Sequence, residues 1–219
     1  MINEPRQQRL LFLPGAGGYV GLWEPVARGL SHAGTREFVT WPGFGGAPPD
    51  PAVTGLDDLV ERVLGRVTDS VVLFAQSMGG LIALRVALSA PLKVRALVLS
   101  VTSGGIDLTA PGAADWRPQF ERANPGLPRW FLDAREDLTK EIHRIQIPTL
   151  LLWGDADPIS PVSIGRRLTA LLPNAELVVI SGGTHNLVSE RANDVLPHIE
   201  HFLRKVPTET AGQHGLQHL

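Results

Sequence analysis

Short runs of consecutive apolar residues alternate along the chain with stretches whose apolar positions recur every three or four residues. Leu10-Leu11-Phe12-Leu13, Phe38-Val39-Thr40-Trp41, Val71-Val72-Leu73-Phe74, Ala96-Leu97-Val98-Leu99-Ser100-Val101, Thr149-Leu150-Leu151-Leu152-Trp153 and Leu177-Val178-Val179-Ile180 read as strands with little or no polar face. Helical patterns separate them. Trp23, Val26, Ala27 and Leu30 share one face, and residues 56–67 form a helix with an acidic start at Asp57 and Asp58. A third helix runs through Leu81, Ile82, Leu84, Arg85, Val86 and Leu88, and two more span about residues 163–172 and 193–204. Apolar strands alternating with helices predict an α/β fold with a doubly wound, mostly parallel sheet covered on both faces.

One segment breaks this rhythm. Residues 102–146 are rich in Pro and Gly, turn helical over 128–145, and contain no strand pattern. The reading is therefore a core of residues 1–101 and 147–206, a short cap insertion at 102–146, and a loose polar tail at 207–219. An insertion between two sheet strands belongs above the carboxyl edge of the sheet, where open α/β sheets bind ligands.

Candidate chemistry begins where the third apolar run stops. In Phe74-Ala75-Gln76-Ser77-Met78-Gly79-Gly80 a buried strand becomes a helix through one serine. Small residues two before and two after it, Ala75 and Gly79, let strand and helix approach closely. The serine hydroxyl is then exposed on a tight corner, beside the free N–H groups and positive end of a helix. The structural alternative is a plain strand-to-helix connection capped by serine.

A serine hydroxyl needs a base, and histidine serves near neutral pH. Of the seven histidines, His185 alone follows a core strand, in the glycine-containing loop Ser181-Gly182-Gly183-Thr184-His185-Asn186. His32, His143, His198 and His201 fall on helices or their ends and read as surface or packing residues; His214 and His218 lie in the tail. A carboxylate must then orient the histidine. Trp153-Gly154-Asp155-Ala156-Asp157-Pro158 offers two, and Pro158 restricts the backbone of Asp157. Asp157 is assigned the acid role and Asp155 an Asx turn capping the next helix, with Asp107 as a third candidate. An oxyanion needs two fixed donors. Met78 N–H is one expectation, and Ala16 N–H, in the loop Pro14-Gly15-Ala16-Gly17-Gly18, is the other. A phosphate cradle is the weaker reading of that loop, which lacks a third spaced glycine and a following Gly-Lys-Ser/Thr.

Bulk properties narrow the classes. The chain has 219 residues, enough for one large core, and a formal net charge of −2, which gives no basic footprint for nucleic acid. It has no cysteine, which excludes disulfides, thiolate metal sites and a cysteine nucleophile. The polar start (residues 1–9) shows no signal core, and no apolar run approaches the roughly 20 residues that span a bilayer. A cytoplasmic protein without membrane contact, metal or cofactor is the expectation.

The order Ser77, Asp157, His185, together with Trp41-Pro42-Gly43-Phe44-Gly45, the "SMGG" elbow, "WGDADPISP" and "GGTHN", resembles the α/β-hydrolase superfamily over about residues 9–205. It is similar to small bacterial serine hydrolases of the pimeloyl-acyl-carrier-protein methyl ester carboxylesterase type and to menaquinone-pathway synthases on the same scaffold. The resemblance implies Ser77 as nucleophile, His185 as base, Asp157 as acid, and Ala16 and Met78 N–H as oxyanion hole. It also implies a small-molecule ester or thioester substrate and brings in an acyl carrier protein as a candidate partner. Three departures stand out: Ala75 replaces a glycine, Pro14 replaces the histidine that braces the oxyanion loop, and the insertion is short for a cap.

Three functions compete. One is hydrolysis through a seryl acyl-enzyme, one a triad-based lyase or synthase acting by proton abstraction, and one a non-catalytic receptor. Arg117, Arg122, Arg129 and Arg135 of the insertion would suit an anionic substrate, but as many acids accompany them. Trp116, Phe120, Trp130 and Phe131, with Tyr19 or Val20 from the oxyanion side, either line an apolar acyl pocket or anchor the insertion.

Overall fold

The computed structural model describes residues 8–106 and 116–207. Six strands among these residues form one sheet: β1 (Arg9–Leu13), β2 (Thr35–Phe38), β3 (Val71–Gln76), β4 (Val94–Ser100), β5 (Thr149–Gly154) and β6 (Ala175–Ile180). Their spatial order is β2-β1-β3-β4-β5-β6, and every neighbouring pair is parallel. Among the described residues eight α-helices accompany them: α1 (Glu24–Gly29), α2 (Leu56–Leu64), α3 (Met78–Ser89), α4 (Arg117–Ala123), α5 (Arg129–Asp133), α6 (Val162–Leu171), α7 (Leu187–Glu190) and α8 (Ala192–Lys205).

The strands sort their side chains to two cores with the period of two that a pleated strand imposes. Leu11, Leu13, Leu73, Ala75, Leu97, Leu99, Leu151 and Trp153 face one core with α2, α3 and α6. Leu10, Phe12, Val72, Phe74, Val98, Leu150 and Leu152 face the other with α1 and α8. In α2 the buried residues are Leu56, Leu59, Val60 and Val63, the spacing of a single helical stripe. The doubly wound parallel α/β sheet is as the periodicity predicts.

The order of the strands locates a crevice. From β1 the chain goes to β2 on one side and returns to β3 on the other. The loops leaving β1 and β3 therefore diverge at the carboxyl edge, and ligands bind at such a switch point. Gly79, at the start of α3, packs on the end of β1. A methyl group there would lie 2.6 Å from Pro14 O and 2.8 Å from Leu13 O. The glycine after the serine thus serves the approach of helix to strand.

Several boundaries differ from the sequence reading. β2 is Thr35–Phe38, not residues 38–41. Val39 N–H still bonds Phe12 O, but Val39 and Trp41 then turn inward and are buried, so apolarity there marks a buried loop. The helix expected over 56–67 ends at Leu64. Helix over 128–145 is reduced to α5 and a 3-10 turn at Ile142–Arg144. α4 was not expected, and Pro at its N-terminal turn suits a helix start. Asp107 and residues 208–219, with His214 and His218, lie outside the described residues.

Candidate active site

β3 ends at Gln76, and α3 begins at Met78. Ser77 alone makes the turn, with φ 52° and ψ −119°. A non-glycine residue held at positive φ stores about 1–3 kcal/mol, which the surrounding packing must supply. Ser77 N–H bonds Ser100 O at 3.0 Å, tying the corner to β4. The corner stands at the N-terminus of α3, whose first N–H groups lack intrahelical acceptors.

Two other loops converge on it. β5 leads into Asp155-Ala156-Asp157, and β6 leads into the loop bearing His185. They are pressed together at Gly154, where a methyl group would lie 2.0 Å from Gly183 O. Ala156 N–H bonds that same carbonyl at 3.0 Å. The glycines expected to loosen the histidine loop therefore also allow this close approach.

His185 sits between the other two residues. Its Nδ1 lies 2.8 Å from Asp157 Oδ2, and its Nε2 lies 3.1 Å from Ser77 Oγ. With Asp157 accepting at Nδ1, the neutral ring presents an unprotonated Nε2 to the serine hydroxyl. The Asp157 side chain is fully buried and the His185 side chain about one-fifth exposed. The other carboxylate oxygen, Oδ1, accepts Ile159 N–H at 2.8 Å and Ser160 N–H at 3.2 Å. Asp157 thus makes an Asx turn and faces the histidine at once, although the sequence posed these as alternatives. Asp155 does not cap its own following helix. Its Oδ1 accepts Gly182 N–H at 2.6 Å, stapling the histidine loop from outside.

The two expected oxyanion donors, Ala16 in the β1 loop and Met78 at the start of α3, lie on peptides whose planes are fixed. Gly15 O accepts Gly18 N–H at 3.0 Å. The peptide is trans, so Ala16 N–H points away from that turn. Ser77 O accepts Gly80 N–H at 3.0 Å and the Thr102 hydroxyl at 2.6 Å, which likewise fixes Met78 N–H. A methyl group on Gly15 would lie 3.0 Å from Ser77 Cβ, so the first loop abuts the corner.

Sequence reasoning missed four residues around this site. Pro14 removes a bracing histidine, but two buried indoles hold the loop instead: Trp41 Nε1–H donates to Pro14 O at 2.9 Å and Trp23 Nε1–H to Leu13 O at 3.1 Å. Gln76, only 4% exposed, donates Nε2–H to His185 O at 3.0 Å and so joins the serine strand to the histidine loop. A buried amide at the end of an otherwise apolar strand was its available signal. Thr102 had none.

The insertion's aromatics form one contiguous cluster. Trp130 and Phe131 meet Phe44 edge-on at 5.8 and 5.6 Å, and Trp116 and Phe120 join through Phe131. Phe44 belongs to the loop after β2, which touches Gly18 of the β1 loop. Tyr19 stands apart, 67% exposed and folded over Gly21. Among the described residues no helix is long and apolar enough to cross a membrane.

Comparison with known proteins agrees with this fold. The family profile described as alpha/beta hydrolase fold matches residues 8–141, and one described as TAP-like protein matches residues 129–214. The pimeloyl-[acyl-carrier protein] methyl ester esterase of Legionella pneumophila (strain Paris) is 25% identical over 199 residues, covering 75% of this chain and 82% of that one. A poly(3-hydroxyalkanoate) depolymerase of Ectopseudomonas oleovorans is 44% identical over only 64 residues, 29% of this chain and 22% of the depolymerase. The esterase from Thermogutta terrifontis shares the fold with a TM-score of 0.72 at 20% identity, covering 90% of each chain. The chain belongs to the α/β-hydrolase family and is a hydrolase of that fold.

Proposed function

We propose that this hydrolase cleaves a carboxylic ester or thioester through a seryl acyl-enzyme. The observation that carries the reading is the His185 ring spanning Ser77 Oγ and Asp157 Oδ2 at 3.1 and 2.8 Å. Ser77 Oγ attacks the acyl carbon as His185 Nε2 takes its proton. Asp157 holds the tautomer and stabilises the imidazolium. The carbonyl oxygen, now anionic, is received by Met78 and Ala16 N–H. Collapse expels the alkoxide or thiolate, which takes the proton from His185. Water then attacks the acyl-serine with His185 as base again, releasing the acid and restoring Ser77. A lyase acting by proton abstraction, or a receptor, has no observation here in its favour.

In this reading residues 102–146 are a short cap over the core formed by 1–101 and 147–206. The aromatics Trp116, Phe120, Trp130 and Phe131, with Tyr19 at the rim, form an apolar wall toward the acyl chain. The esterase relative takes a methyl ester of an acyl group on a carrier protein, as its name states. That makes a carrier-bound acyl chain one candidate substrate.

A panel of p-nitrophenyl esters of increasing acyl length tests the proposal. Turnover that saturates and disappears in Ser77→Ala supports it. Absence of turnover with every ester and thioester, alongside tight ligand binding, would favour the receptor.

A further inference from the structure

Two non-glycine residues have positive φ among the described residues: Ser77 at 52° and Val101 at 43°. They lie at the ends of the paired strands β3 and β4, where Gln76 is opposite Ser100. A left-handed conformation is unusual for any side chain and most costly for a β-branched one. Val101 is 1% exposed and its N–H bonds Leu152 O at 3.1 Å, so this is an anchored part of the core. Its effect is to turn the chain sharply and bring Thr102 under the elbow.

There Thr102 is wholly buried, and its hydroxyl is used in both directions. Oγ1–H donates to Ser77 O at 2.6 Å, and Oγ1 accepts Gly104 N–H at 3.0 Å. Room for it comes from Gly80, where a methyl group would lie 2.5 Å from Thr102 Cβ and Oγ1. A strained valine, a space-making glycine and a saturated hydroxyl all converge on one carbonyl oxygen.

That carbonyl belongs to the Ser77–Met78 peptide. In a trans peptide C=O and N–H point in opposite directions, so a bond that fixes Ser77 O also aims Met78 N–H. A hydrogen bond to the carbonyl further polarises the peptide and strengthens its N–H as a donor. We infer that Thr102 is a positioning residue for the oxyanion hole: its buried hydroxyl sets the direction and donor strength of Met78 N–H without touching substrate. This rests on the reading of Ser77 and Met78 given above.

The test compares Thr102→Val, which keeps the shape, and the pair Thr102→Ala and Thr102→Ser, which differ by the hydroxyl alone. Steady-state rates with p-nitrophenyl acetate are measured beside inhibition by a trifluoromethyl ketone, whose serine adduct carries an oxyanion. Loss of a whole oxyanion donor costs about 10²–10³ in kcat, and a donor left in place but misaimed should lose part of that, about 10- to 100-fold. Thr102→Val and Thr102→Ala should show that loss in kcat with KM little changed, and ketone affinity should fall in parallel. Thr102→Ser should stay close to the parent. If Thr102→Val does not fold, the Ala and Ser pair decides. Val and Ala variants as fast as the parent, a Ser variant as slow as Ala, or a loss confined to KM would each overturn the inference while leaving the acyl-enzyme reading intact. A parent chain that neither turns over ester nor reacts with a fluorophosphonate overturns that reading, and this inference with it.

Discussion

Asp157 divides its two carboxylate oxygens between its own loop and the histidine: Oδ1 takes the N–H groups of Ile159 and Ser160, and Oδ2 faces His185 Nδ1 at 2.8 Å. The backbone donors leave Oδ1 no freedom to turn. In Asp157→Asn they would keep the remaining oxygen and direct the new NH₂ at the imidazole. Nδ1 would then have to accept, and Nε2 would carry the proton, facing Ser77 as a donor. A base in that tautomer cannot take the serine proton.

The expected loss in Asp157→Asn is therefore about 10⁴ in kcat, as for other triads. Asp155→Asn should cost far less, because an amide oxygen can still accept Gly182 N–H. Parallel kinetics on the two variants check this. Equal losses, or a larger loss at Asp155, would reassign the acid.

The aromatics of residues 116–131 carry a second prediction. Phe131 is buried against Phe44 and Trp130 is half-buried, so Phe131→Ala would leave a cavity costing about 3–5 kcal/mol. Trp130→Ala with Phe131→Leu is the milder change. Selectivity among acyl lengths should shift by about 1–3 kcal/mol per methylene at most, with the acetate ester affected least. A chain-length profile identical to the parent's would mean the four rings only anchor the insertion.

The sheet was legible from the sequence because its four inner strands, β1, β3, β4 and β5, are buried on both faces and so read as unbroken apolar runs. The limits of that signal show at β2. Thr35–Phe38 is half-exposed and polar, and its edge position is fixed by pairing with β1, while the more apolar Val39 to Trp41 is buried loop. The convergence of Ser77, Asp157 and His185 was readable because each follows a strand in a glycine- or proline-marked loop. The residues around them were not. Gln76, Trp41 and Thr102 act through contacts with backbone carbonyls of residues 25 to 109 positions away, and no local pattern encodes such partners. The separate roles of Asp155 and Asp157 likewise depend on which loop each oxygen meets.

A third prediction concerns acid stability. His32 Nδ1 accepts Gly34 N–H at 2.9 Å, and Nε2 faces Gln8 Oε1 at 3.0 Å, so the ring is held neutral. Burial, reinforced by the Arg36 charge and opposed by Glu200, lowers its pKa below the ordinary 6.5. The unfolded chain therefore binds a proton near pH 6.5 that the folded chain refuses. Stability should fall as pH drops from 6.5 to the folded value, below which the loss is complete. His32→Asn should flatten that part of the stability–pH curve. An NMR titration placing His32 at or above 6.5 would contradict it.

Covalent capture of the nucleophile is the most direct test of the central claim. The chain should be treated with a fluorophosphonate, digested and examined by mass spectrometry, alongside Ser77→Ala. The phosphonyl group should appear on Ser77 alone, at a rate that competing ester slows. The Ala variant should take up no label and lose on the order of 10⁶ in ester turnover, with its melting curve close to the parent's. Labelling at another serine, or an Ala variant that still turns over ester at the parent's rate, would contradict the assignment of Ser77.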